Sequence, residues 1–236
     1  MKKVLHKASE RIVNDFGWLR IQASFRNDAQ REDQQRFGKL VILDDALMIP
    51  GGRGFKMHPH DNMEIISWVL SGTDEHDDDK NGIRLLQNGD VQLMSAGTGI
   101  QHAENNHSMN EAVHMFQIWI EPEQTNIAPR YQVQSLKNTG SLNVLSTFIT
   151  PDGSNNSLKI NQQAYVSIVT LETAKTLTYK VRQQGNGVYI FLLLGNASVA
   201  NTTLCDRDAL GIWDVDGIDV RATNLSNILF IEVPME

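Results

Sequence analysis

The stretch GFKMHPHDNMEI, residues 54–65, sets His58 and His60 on either side of a proline. In an extended chain, side chains at i and i+2 leave the same face, so both imidazoles point into one space. Two ligands of one metal ion must do this, although two histidines on a wetted strand write the same string. A second stretch, MSAGTGIQHAENN (residues 94–106), repeats the i, i+2 arrangement with His102 and Glu104. Facing strands carrying the two pairs bring three imidazoles and one carboxylate around a point. Such a donor set suits one divalent transition metal, with Fe, Mn, Cu, Ni and Zn all admissible. A structural zinc site would more often use cysteines and close its tetrahedron. Four protein ligands on a five- or six-coordinate ion leave a position for water, substrate or dioxygen.

The histidines concentrate where this reading needs them. Of seven, six fall within residues 58–114: His58, His60, His76, His102, His107 and His114. His76 and His107 stand in turn-like polar surroundings and are expected in solvent. His114 is expected behind the site or in the core. Glu64, inside an apolar run, is the rival carboxylate. An even offset from the nearest histidine keeps either acid on the right face, but Glu64 lies roughly 13 Å along an extended strand from His60. Glu104 lies only about 7 Å from His102. No glycine stands between His60 and Glu64 to ease a turn, so reach favours Glu104.

Around these stretches the rhythm is that of strands. Short apolar runs recur, among them KLVILDDALMI (39–49), EIISWVL (64–70), VHMFQIWI (113–120), AYVSIVTL (164–171), VYIFLLLG (188–195) and NILFIEV (227–233). Turn formers separate them, including PGGRG (50–54), SGTDEHDDDKNG (71–82), TPDGSNNS (150–157) and QQGNG (183–187). This spacing predicts β sandwiches or barrels, with a helical phase credible only at NDAQREDQQRF (27–37). The polar stretch EPEQTNIAPRYQVQS (121–135) is the expected seam between domains at 1–134 and 135–236. The halves resemble each other: matching Gly72 with Gly195 and Gly99 with Gly217 sets His102 against Val220 and Glu104 against Ala222. Counting back from the first pair sets His58 against Val181 and His60 against Gln183. The second copy is thus expected to keep the scaffold and lack the ligands.

Composition excludes other classes. A net charge of −7 over 236 residues argues against direct nucleic-acid binding, which needs a basic face. The opening MKKVLHKASERIVNDFGWL has no continuous apolar run of a secretory signal, and no window reaches 18 apolar residues. The single cysteine, Cys205, fits a reducing compartment, so a cytoplasmic location without membrane contact is expected.

The residues carry a family resemblance. GGRGFKMHPHDNMEIISWVLSG (51–72) resembles the first cupin motif, with Gly52, His58, His60 and Glu64 at its positions. GDVQLMSAGTGIQHAENN (89–106) resembles the second in the form found in the pirin family. DFGWL (15–19), His76 and Asp77, FQIWIEP (116–122) and APRYQ (128–132) extend the likeness, while GIWD (211–214) carries it in the second half. The resemblance implies an all-β bicupin, two double-stranded β-helix barrels packed together, with metal in the first. It implies ligands at His58, His60, His102 and Glu104, and Fe(II) as the metal. It further implies a quercetin 2,3-dioxygenase-like activity on a flavonol and O2, with Glu104 as base. The alternative it offers is a non-catalytic, metal-dependent regulator of a protein partner. Phe55, Met57, Met94 and Gln117 are candidate pocket walls. The family's FSF…Y.DP segment is here ASFRNDAQREDQQRFGKL (23–40), which changes the expected pocket wall.

Overall fold

The computed structural model describes residues 1–51, 54–137 and 141–236, so Gly52 of the first motif lies outside the described residues. Strands dominate, in two compact units. One comprises Ile12–Arg36 and Leu40–Asn138. Its larger sheet runs, edge to edge, Arg130–Ser135, Asp90–Ser95, Glu64–Ser71, Val113–Ile120, Leu40–Met48, Leu19–Ala23 and Ile12–Asp15. Its smaller sheet runs Gly54–His60, Ile100–Asn106, Thr73–Asp78 and Gly82–Gln87, and all neighbours in both sheets are antiparallel.

The smaller sheet alternates in the inverse of the usual sense. In Thr73–Asp78 the buried positions are Asp74, His76 and Asp78, and in Ile100–Asn106 they include His102, Glu104 and Asn106. Hydrogen bonds tie this polar inner face to the larger sheet: Ser67 donates to Glu104, and Gln92 donates to Ser67. The stretch 71–82, expected as a turn, therefore contains a strand. An inward polar face lacks the apolar alternation by which a strand is recognised.

Two other expectations also change. Residues 27–37 hold only a three-residue 3-10 turn, Glu32–Gln34, without a side-chain cap. Their polar run offers no apolar stripe to offset helix nucleation. The chain also divides differently from 1–134 and 135–236: the second unit comprises Met1–Arg11, Phe37–Lys39 and Thr139–Glu236. Lys2–His6 pairs with Ala209–Trp213 and covers an edge of that unit's larger sheet. Within the expected seam, Arg130–Ser135 is a strand paired to Asp90–Ser95 of the first unit.

The second unit repeats the strand order of the first in its smaller sheet, while its larger sheet ends in a parallel pair, Ser146–Thr150 with Leu158–Lys159. Its smaller sheet runs Thr176–Lys180, Gly217–Ala222, Ala197–Val199 and Thr202–Leu204. Val220 faces Leu177 and Val199, as His102 faces His58 and Asp78. The counterpart of His58 is thus Leu177, and Val181 and Gln183 lie past that strand's end. Val199, Val220, Ala222 and Tyr179 join one apolar core there. Burying a large apolar side chain contributes about 1.5–3 kcal/mol. The first unit gives the equivalent positions to ionisable groups instead.

Candidate metal centre

Strand Gly54–His60 lies against Ile100–Asn106 with His58 opposite His102. The rings of His58, His60 and His102 gather with centroids 4.5 Å apart for His58–His102 and 4.8 Å for the other two pairs. One nitrogen from each falls within 4.8 Å of the others. His58 Nδ1 donates to the Lys56 carbonyl at 2.8 Å, which leaves Nε2 bare. The Nε2 atoms of His60 and His102 are buried with no hydrogen-bond partner. Converging, buried imidazole nitrogens without hydrogen-bond partners are what a transition metal requires.

Electrostatics keep His60 and His102 neutral. Burial, then the neighbouring His102 and His58, lowers the pKa of His60 to about 4. Burial, then His76 and His58, lowers that of His102 to about 3. Neither ring needs to shed a proton at neutral pH before binding a cation.

Glu104 is the fourth residue of the expected set. Its pairing with Gly54–His60 slips by one residue after His102, so that Glu104 faces Phe55 across a bulge. Gly54 makes this possible, because a Cβ there would collide with the Glu104 carbonyl oxygen. The Glu104 carboxylate accepts from Ser67 Oγ at 3.2 Å and from Gln117 Nε2 at 2.7 Å, and Trp119 Nε1 in turn donates to Gln117. It clusters with His102 and His76 rather than with His58 and His60, so His102 is shared by both groups. Glu64 lies in neither group and accepts from Ser95 Oγ at 2.8 Å. The chain does turn after His60, through Asn62 at φ 44°, because asparagine tolerates the left-handed region without glycine.

A cavity of about 300 Å³ opens onto the site. His58, His60, Glu104, Phe55, Gln117 and Trp119 line it, with apolar side chains from the larger sheet. Of the expected walls, Phe55 and Gln117 are there; Met94 is in a buried core cluster and Met57 is exposed. His107 is half exposed beside Glu75, and His114 pairs with Asp45 on the opposite face of its strand from Gln117. His76 is the correction: expected in solvent, it is completely buried. Asp74 is also buried, and its carboxylate makes no hydrogen bond among the described residues. Burial, then the Glu104 charge, holds its pKa well above the usual carboxylate range.

Residues 6–120 match the family model described as Pirin, and residues 147–233 that described as Quercetinase C-terminal cupin domain. A protein of Escherichia coli K12 named quercetin 2,3-dioxygenase is 33% identical over 98% of both chains. A Pasteurella multocida protein named putative quercetin 2,3-dioxygenase is 37% identical over 92% of both. The crystal structure of the bacterial pirin YhhW from E. coli, in complex with nickel(II), superposes with a TM-score of 0.91, 32% identity and 99% coverage of both chains. The chain belongs to the pirin family. In this pirin the segment after GWL sends Arg26 into the cavity wall, where it forms a two-pronged ion pair with Asp44 at 2.7 and 3.0 Å. The sequence reading missed both residues, though Asp44, an acid within the apolar run LVILDDALM, was a visible signal.

Proposed function

We propose that the chain binds one divalent transition metal, Fe(II) first among the candidates, through His58, His60, His102 and Glu104. It uses the metal to cleave a flavonol-like substrate with O2, as a quercetin 2,3-dioxygenase does, in the cytoplasm. The observation that carries this reading is the convergence of three imidazoles, two with buried Nε2 atoms that have no hydrogen-bond partner, beside a largely apolar cavity. The metal, when bound, supplies Lewis-acid polarisation of the substrate's 3-hydroxyl and the redox partner for O2.

The chain's own residues do the rest. The apolar walls from Leu19, Ile21, Met48 and Met115 hold the aromatic rings and exclude water. Glu104 accepts the 3-hydroxyl proton, while Ser67 and Gln117 hold its carboxylate in place. Trp119, edge-on to His60 at 4.9 Å, fixes that ring's plane. Ring opening then takes up one O2 and releases carbon monoxide. The test is anaerobic reconstitution with Fe(II), Ni(II) and Mn(II), followed by oxygen uptake and carbon monoxide release with a flavonol panel. Turnover is expected; tight metal binding with no oxygen uptake for any flavonol would overturn the dioxygenase reading.

A further inference from the structure

Behind the three imidazoles lies a side-chain chain that reaches away from the cavity. His76 Nε2 stands 3.0 Å from Asp78 Oδ2, both groups fully buried. His76 Nδ1 stands 3.4 Å from His102 Nδ1 and 3.4 Å from the Gln92 amide nitrogen. Asp78 also accepts from the backbone N–H groups of Lys80 and Asn81 at 2.8 and 2.6 Å. Burial alone would raise its pKa, but these turn hydrogen bonds outweigh it and hold the group below the usual range. An ionised carboxylate only accepts, so the proton between Asp78 and His76 sits on His76 Nε2. The amide N–H of Gln92 points at His76 Nδ1 at 3.4 Å, so that atom presents its lone pair and accepts. The remaining donor is His102 Nδ1–H. Its proton placed there, His102 has its lone pair on Nε2, the buried atom without a partner.

We infer that Asp78 and His76 are positioning residues that fix the tautomer of His102, so that it presents Nε2, never Nδ1, to the metal. The inference rests on the reading of His102 as a ligand. It also separates His76 from the ligands, although His76, His102 and Glu104 themselves form a cluster of possible donors. The Nδ1 of His76 faces a donor, and its Nε2 is committed to Asp78. The second unit underlines the point: the positions equivalent to His76, Asp78 and His102 are Ala197, Val199 and Val220, so ligand and relay are absent together. A histidine's free nitrogen is commonly held by a carboxylate when the other binds metal. Here the carboxylate acts one imidazole further out.

Asp78→Asn tests this and keeps both backbone hydrogen bonds of the turn, because the amide oxygen still accepts from the Lys80 and Asn81 N–H groups while the NH2 faces His76; it gives up only the Asn81 side-chain bond to the second oxygen. That inversion forces His76 to carry its proton on Nδ1 and pushes the His102 proton onto Nε2. Nitrogen-15 NMR of the metal-free protein reads the tautomer directly. Wild type is expected to show His102 protonated at Nδ1 and Asp78→Asn at Nε2; Nε2–H in wild type, or no change in the variant, overturns the inference whether or not metal binds. Calorimetric titration with Ni(II) gives the second readout. Affinity is expected to fall about 10–100-fold in Asp78→Asn and His76→Leu. It is expected to recover to within a few-fold in His76→Asn, whose side-chain oxygen replaces Nδ1 as acceptor. Equal affinity in Asp78→Asn and wild type overturns the relay, and loss of binding in His76→Asn would make His76 a ligand instead. Failure of wild type to bind any metal would instead sink the proposed function, and the tautomer measurement would still decide the relay.

Discussion

Two carboxylates near the histidines differ in what surrounds them, and that difference predicts how each responds to neutralisation. Glu104 lines the cavity beside His58 and His60 and has Ser67 and Gln117 as donors, whereas Glu64 is fully interior and bonded to Ser95. Glu104→Gln is expected to weaken Fe(II) binding at least tenfold and to abolish flavonol turnover, since it removes a charged donor and the base together. Glu64→Gln is expected to keep metal affinity and to lose about 1–3 kcal/mol of stability from a buried acceptor made imperfect. Anaerobic Fe(II) titration beside urea denaturation of both variants reads both effects; the reverse ranking would refute the assignment. The lowered pKa values of His60 and His102 give a pH dependence of definite sign. In the unfolded chain these rings take up protons near pH 6.5, but in the native metal-free protein only near 4 and 3. Between those limits the unfolded state holds more protons, so their contribution to stability is lost as pH falls. Asp74, whose carboxyl is held well above the usual range by burial and the Glu104 charge, has the opposite slope, so the comparison needed is a difference. The stability of metal-free wild type should fall more steeply from pH 6.5 to 4 than that of His102→Gln, measured by thermal melting.

At the scale of elements, the smaller sheet of the first unit depends on a close approach between Gly54 and the strand bearing Glu104. A methyl group at Gly54 meets the Glu104 carbonyl and the Asn105 Cα, both backbone, so neither can yield by changing rotamer. Gly54→Ala is therefore expected to cost about 1–3 kcal/mol and to separate the two ligand-bearing strands. Urea denaturation with Ni(II) titration should show stability and metal affinity falling together. Unchanged affinity would mean that the bulge does not set the distance between His58 and Glu104. The bulge and the turn at Asn62 also explain why reach along an extended strand was an incomplete guide. The chain between His60 and Glu64 bends out of the smaller sheet into the larger one, so distance along the strand no longer measures distance in space.

For the whole molecule, the repeated topology predicts stoichiometry. Leu177, Val199, Val220 and Ala222 fill the second unit where the first holds His58, Asp78, His102 and Glu104, and apolar side chains offer no donor to a cation. Elemental analysis of the reconstituted protein is expected to find one transition metal per chain. Two tightly held ions would contradict the loss of ligands in the second copy.

The sequence by itself determined the strand-rich class, and it pointed to the duplicated plan and to the four residues proposed as ligands. Those signals are local: alternation, turn residues, and pairs at i, i+2 such as His58/His60 and His102/Glu104. Tertiary structure alone decided where His76 and Asp78 sit. They belong to a strand whose inner face is polar, and SGTDEHDDDKNG reads as a turn because hydrophobic periodicity registers burial only when the buried residues are apolar. The pairing of Lys2–His6 with Ala209–Trp213, and of Arg26 with Asp44, was hidden for a related reason. Contacts between segments distant in sequence leave no periodic trace in either one, and only the folded chain brings their partners within reach.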